Sequence, residues 1–167
     1  LPLGHHSRAE VLSVLTHPLV RARWPDVDAE EWLTWCVDAG VIRGLDDQAF
    51  LGTYAEGARL YHWDQGLERV ALGTLTEGTP LDVGGHLLFP PPIPGTRARA
   101  AGRLVLLARS LLADTAWAAT AELPLAEWVR FLGELVATYI VPPDEATGAA
   151  LRACLAAIAA RAEVDAG

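Results

Sequence analysis

Apolar positions recur at helical spacing along most of the chain. Val11, Leu12, Val14 and Leu15 form one apolar face. Ser7-Arg8-Ala9-Glu10 ahead of them is a capping box, with the serine accepting from the Glu10 N–H and the glutamate reaching back. Pro18 ends or restarts that helix. Asp28 to Glu31 repeats the capping pattern before a stripe of Trp32, Trp35, Cys36 and Ala39, and Gly40 suits the position just past the helix end. Residues 41–46 read as short and extended. The next helix starts near Trp63 or Asp64, with Leu67, Val70, Ala71 and Leu75 near one face and Leu72 at its border.

Residues 76–96 break the pattern with Gly and Pro, including Phe89-Pro90-Pro91-Pro92-Ile93-Pro94-Gly95. A single short proline run of this kind reads as a stiff connector before it reads as a presented peptide ligand. Three helices follow. Residues 99–117 carry Leu104, Leu107, Ala108 and Leu111. Pro124 opens 125–140, with Leu125, Trp128, Val129, Leu132, Leu135, Val136 and Tyr139 in line. Asp144 or Thr147 caps the last helix, whose inward set is Leu151, Cys154, Leu155 and Ile158. The expected fold is all-α, with at most a minor hairpin in 41–60 or 80–90. It is one helical domain over 1–167, with halves 1–76 and 97–167 joined by 77–96. Trp32, Trp35, Leu67, Leu72, Trp128 and Leu132 are the expected core.

Composition narrows the function. Hydrophobic residues make up 51%, enough for a packed core, and no run is long enough to span a membrane. There is no methionine. With helix pattern starting so early, the expectation is a segment of a longer polypeptide. Cys36 and Cys154 lack metal-type spacing and read as buried free thiols in a reducing, cytoplasmic setting. Net charge is −8, which repels DNA phosphates from the domain as a whole. The thirteen basic residues are all arginine, and residues 83–113 hold four of them and no acid. Arg97, Arg99 and Arg103 are therefore the candidate DNA contacts, competing with the plainer reading of a solvated face or a surface turned to a neighbouring domain.

Reactive chemistry is not legible. A Walker-type phosphate loop needs a lysine, and none is present. No G-x-S-x-G occurs, and Cys36 has no evident histidine base. His5, His6, His17 and His86 have neither ligand spacing nor a completing Cys or carboxylate, so neither metal nor cofactor is expected. Of the six tryptophans, the periodic ones read as core. Trp24 and Trp117, beside breaks, are the better candidates for stacking on bases.

Three stretches taken in order carry a resemblance. They are RAEVLSVLTHP from Arg8; EEWLTWCVDAGVIRGLD followed by YHWDQGLERVALG; and LPLAEWVRFLGELVATYIVPPDEATGAAL. Together they resemble the exonuclease V gamma subunit family, RecC and its AddB-like relatives, which are inactivated superfamily I helicases. Trp63, Gly66, Leu67, Arg69, Leu72 and Gly73 occupy the second motif; Pro124, Leu125, Glu127 and Trp128 occupy the third. The resemblance implies a helical insertion like helicase domain 2B. It implies a non-catalytic scaffold for DNA ends or partner helicase and nuclease subunits in double-strand break processing. A protein–protein docking module without nucleic-acid contact is the alternative.

Overall fold

A computed structural model describes residues 4–25 and 27–165. Helix α1 (Arg8–Leu15) leads to a single turn, α2 (Pro18–Arg21), and then α3 (Ala29–Asp38). A 3-10 turn (Asp47–Phe50) precedes α4 (Trp63–Thr76). Strands β1 (Leu81–Val83) and β2 (His86–Leu88) pair antiparallel, and a second 3-10 turn (Gly95–Arg97) feeds α5 (Ala98–Thr120). Helices α6 (Leu125–Tyr139) and α7 (Glu145–Asp165) complete the chain. The fold is mostly α with one minor hairpin, and that hairpin lies in the 80–90 stretch. Residues 41–60 form no strand. Among the described residues no helix is long and apolar enough to cross a membrane.

Capping chemistry sets the helix ends. The Ser7 hydroxyl accepts from the Glu10 N–H, and a Glu10 carboxylate oxygen accepts from the Ser7 N–H at 2.8 Å. That pair holds the Glu10 carboxyl below its ordinary range. Asp28 accepts from the Glu30 and Glu31 N–H groups at the start of α3. Pro18 restarts a helix, and His17 caps it by accepting from the Leu19 N–H. Asp144 caps α7 through the Thr147 N–H. In the hairpin, Gly84 and Gly85 both take positive φ, as a tight two-residue turn between twisted strands requires.

The chain divides into two compact units, Leu1–Leu15 with Asp26–Ala119, and Thr16–Pro25 with Thr120–Gly167. This division differs from the halves 1–76 and 97–167, because α4 and nearly all of α5 fall in one unit. The first unit holds the dense core. Val11, Trp32, Trp63, Val70, Ile93 and Leu104 are fully buried there. The seam of α4 runs through Trp63, Gly66, Leu67, Val70 and Gly73, all buried. It does not include Leu75, which is 81% exposed, and it leaves Leu72 half-buried. The glycines are the reason. A Cβ on Gly66 would stand 2.1 Å from a Val41 methyl, and one on Gly73 would stand 2.4 Å from the Pro91 carbonyl oxygen. The close-contact face of α4 is thus made partly by residues without side chains.

The second unit is thinner. Val20 and Tyr139 are buried, the Val141 N–H donates to the Leu19 carbonyl, and Arg23 donates to the Ala137 carbonyl at the end of α6. Trp128 is only half-buried, with its ring edge-on to Phe131 at 5.8 Å, and Leu132 is 41% exposed. Neither belongs to a closed core. The alanine-rich α7, against which α6 packs, presents too little side chain to cover the α6 stripe. Cys154 on α7 is likewise exposed rather than buried.

Two glycines give opposite expectations. Gly73→Ala should destabilise by about 1–3 kcal/mol, because backbone of the proline run blocks the new methyl. Gly102→Ala on α5 meets nothing within 4 Å and should stabilise by about 0.5–1 kcal/mol through helix propensity. Urea unfolding of both variants reads the difference.

Candidate functional site

The motif residues of α4 converge on the end of α3. Helix α3 closes with Gly40 at φ +76°, the Gly40 N–H donating to Val37 and the Val41 N–H to Cys36. This is the Schellman arrangement, and it leaves the Ala39 carbonyl without a backbone donor. Two side chains of α4 supply it. Gln65 Nε2 donates to Ala39 O at 3.2 Å, and Arg69 Nη1 donates at 3.0 Å. Arg69 Nε donates also to the Phe89 carbonyl at 3.0 Å, at the head of the proline run. One guanidinium therefore ties a helix C-terminus, where a cation is favoured, to the following connector. Burial pulls the Arg69 pKa below its ordinary value.

The other motif residues pack around this point. Trp63 is fully buried, and its indole N–H donates to the His6 carbonyl at 2.7 Å. Gly66 admits Val41, and Leu67 is 1% exposed. Pro91 and Ile93 are buried, so the proline run is a strap over α4 rather than a presented ligand. Trp128, the remaining motif residue, lies in the second unit on α6.

Two further polar residues complete the site and were not singled out in the sequence. Gln65 and His62 are buried at 5% and 4% exposure. His62 Nδ1 accepts from the Gln65 N–H at the start of α4, and its Nε2 lies 3.2 Å from the Asp47 carboxylate. A ring that accepts at Nδ1 and faces a carboxylate at Nε2 carries its proton on Nε2 when neutral. The available signal was a His and a Gln placed just outside and inside an apolar helix start, where a buried polar side chain must find a backbone partner.

The arginines expected to meet DNA do not form one free strip. Arg97 is forked onto Glu31, with Nε 2.8 Å from Oε1 and Nη2 against Oε2. That pair fastens the start of α5 to α3 within the first unit. Arg99 is exposed on α5 and Arg103 is half-buried one turn later. Farther along, Arg109 meets Asp64 at 3.2 Å. Of the proposed stacking residues, Trp117 is 45% exposed and Trp24 is half-buried. His6 Nε2 lies 3.3 Å from the Thr115 hydroxyl, and burial lowers its pKa. His17 is the cap of α2. The side chain of His86 lies outside the described residues.

Among the described residues, the geometry assembles no nucleophile with a base. Burial pushes the Cys36 thiol up to about 12, which suppresses the thiolate that would react. Alkylation at about pH 8 should label Cys154 at once and Cys36 only after unfolding. Peptide mapping reads this directly, and early labelling of Cys36 would contradict its burial. Arg69→Ala should cost about 1.5–3 kcal/mol, the scale of a hydrogen bond from a charged group. Arg69→Lys should recover little, because one ammonium does not reproduce the fork that reaches both carbonyls.

No curated protein matches the chain. The family model of the fourth domain of RecC, a RecBCD enzyme subunit, matches across residues 1–167. The match spans the whole sequence, including both units and the Trp63–Gly73 lock, and the chain belongs to the RecC fourth-domain family.

Proposed function

We propose that this chain is a non-catalytic helical scaffold within a RecC-type subunit, serving a helicase–nuclease assembly that processes double-strand DNA ends in the cytoplasm. One observation carries the reading: of the residues that bear the family resemblance on α4, all but the half-buried Leu72 are spent on packing. Trp63, Gly66, Leu67 and Arg69 hold α3, α4 and the proline strap in register through buried contacts and hydrogen bonds to backbone carbonyls. The 2B-like placement follows the resemblance. The partners are the remainder of the parent chain and the companion subunits of such an assembly.

The test uses the full RecC-type subunit with its companions. The double variant Gly66→Val with Arg69→Ala should lower the yield of assembled complex on size exclusion. ATP turnover per assembled complex should stay unchanged. Full assembly of the variant, or magnesium-dependent ATP turnover tracking the pure domain, would refute the reading.

A second reading, direct DNA contact, draws on the acid-free 83–113 stretch. Its contacts would be Arg99 and Arg103, with Arg97 held back by Glu31. So few phosphate contacts give weak, steeply salt-dependent binding, about 10⁻⁴ to 10⁻⁶ M. Arg99→Ala with Arg103→Ala should abolish such binding at low salt, and Arg97→Ala should change it less. Equal binding by wild type and the double variant would exclude this surface.

A further inference from the structure

The segment ahead of α4 alternates in hand. Gly57, Arg59 and Tyr61 take positive φ, at +71°, +49° and +72°, with Ala58 and Leu60 on the ordinary side between them. A left-handed Arg or Tyr is uncommon and persists only where its surroundings over-determine it. Around Tyr61 they do: its N–H donates to Gln65 Oε1 at 3.2 Å, and its carbonyl accepts from the Ile42 and Arg43 N–H groups. Around Arg59 they do not. Among the described residues its guanidinium and its backbone N–H have no hydrogen-bond or ion-pair partner, and the Leu60 N–H has none. Backbone that alternates in hand turns successive N–H groups toward one side, an arrangement that receives anions.

Arg59 and Leu60 border a cavity of about 420 Å³ that the hairpin also lines. Leu60, Val83, Leu87 and Leu88 give it apolar walls. The hairpin pairs Val83 with His86 across the Gly84–Gly85 turn, and Leu81 with Leu88. Alternate pairs of an antiparallel ladder bond to each other, so the N–H and carbonyl of Leu87 point away from β1. Glu68, exposed on the α4 wall, has no ion-pair partner among the described residues. Gln65 reaches the same cavity, but both ends of its amide are spent, on Tyr61 and Ala39.

We propose that this cavity receives the C-terminus of a partner polypeptide whose last residue is apolar. The terminal carboxylate meets the Arg59 guanidinium and the Arg59 and Leu60 N–H groups. The last side chain enters between Leu60, Val83 and Leu88, and the preceding backbone lies along Leu87 as an added strand. A phosphate offers these walls no apolar body, and Glu68 beside a single arginine repels a dianion. An Asp or Glu side chain arrives without an apolar group on the same residue. A chain terminus brings carboxylate, apolar side chain and extended backbone together. The site lies outside the Arg69 tie, and the inference goes beyond the scaffold reading.

The test uses the isolated full subunit and short fluorescein-labelled peptides ending in Val, Leu, Ile or Phe, with binding read by anisotropy. Each peptide is made with a free C-terminal carboxylate and as its carboxamide. At least one free acid should bind below about 1 mM, and its carboxamide about tenfold more weakly, the scale of a lost charged hydrogen-bond pair. Arg59→Gly should weaken the free acid to the same degree without lowering the Tm, because glycine takes the left-handed conformation freely. No binding by any free acid, equal binding of acid and carboxamide, or full binding by Arg59→Gly each overturns the proposal. Equal binding of a carboxamide peptide whose last residue is Asp also overturns it, by making the ligand a side-chain carboxylate. Each of these outcomes leaves the scaffold reading standing, which fails separately if the Gly66 and Arg69 variant assembles fully.

Discussion

The Ala39 carbonyl, at the buried end of α3, has no backbone donor, and the surrounding fold is organised around satisfying it. Arg69 and Gln65 both donate to it from α4, which fixes the distance and rotation of α4 against α3. The same guanidinium holds the Phe89 carbonyl, so the connector after the hairpin is laid across α4 with Pro91 and Ile93 facing inward. The close approach this requires is possible because Gly66 and Gly73 present no side chain there. The end of the strap then delivers Arg97 to Glu31, and α5 begins on that fork. A charge half withdrawn from water is costly unless its donors are used, and here both carbonyls use them.

Local rules carried much of the fold. Capping residues marked the starts of α1, α3 and α7, and glycine marked the end of α3, because these interactions are completed within a few residues of sequence. The hairpin and the burial of Trp32, Trp35 and Leu67 were legible for the same reason. The α4 face was misjudged toward Leu75, since an apolar count gives glycine no weight although two glycines make the contact. Trp128 and Leu132 were assigned to a core because their spacing is helical; spacing identifies a face and does not supply a partner to cover it. Gln65 was missed because the carbonyl it serves lies 26 positions away in the chain, whereas His62, which caps α4 three residues on, carried a local signal that went unread.

The same physics shapes the functional reading. The first unit concentrates its polar groups on helix ends and connectors, and its buried thiol is held protonated. Such an arrangement suits an element that must keep its shape. The second unit and the outer side of α5 leave apolar side chains uncovered, among them Leu125, Leu132, Leu106 and Trp117. Exposed apolar residues arranged on helix faces mark association surfaces more often than scattered ones do. Rigid interior and unfinished exterior together are the features on which the proposed scaffold reading draws.

The most direct test is hydrogen exchange in the full subunit, comparing wild type with Arg69→Ala. If one guanidinium joins the end of α3 to the proline strap, exchange should rise together in residues 39–44 and in the backbone N–H groups flanking the prolines at 87–97, while α7 stays unchanged. A rise confined to one of the two segments, or none, would contradict the claim that Arg69 is the shared tie.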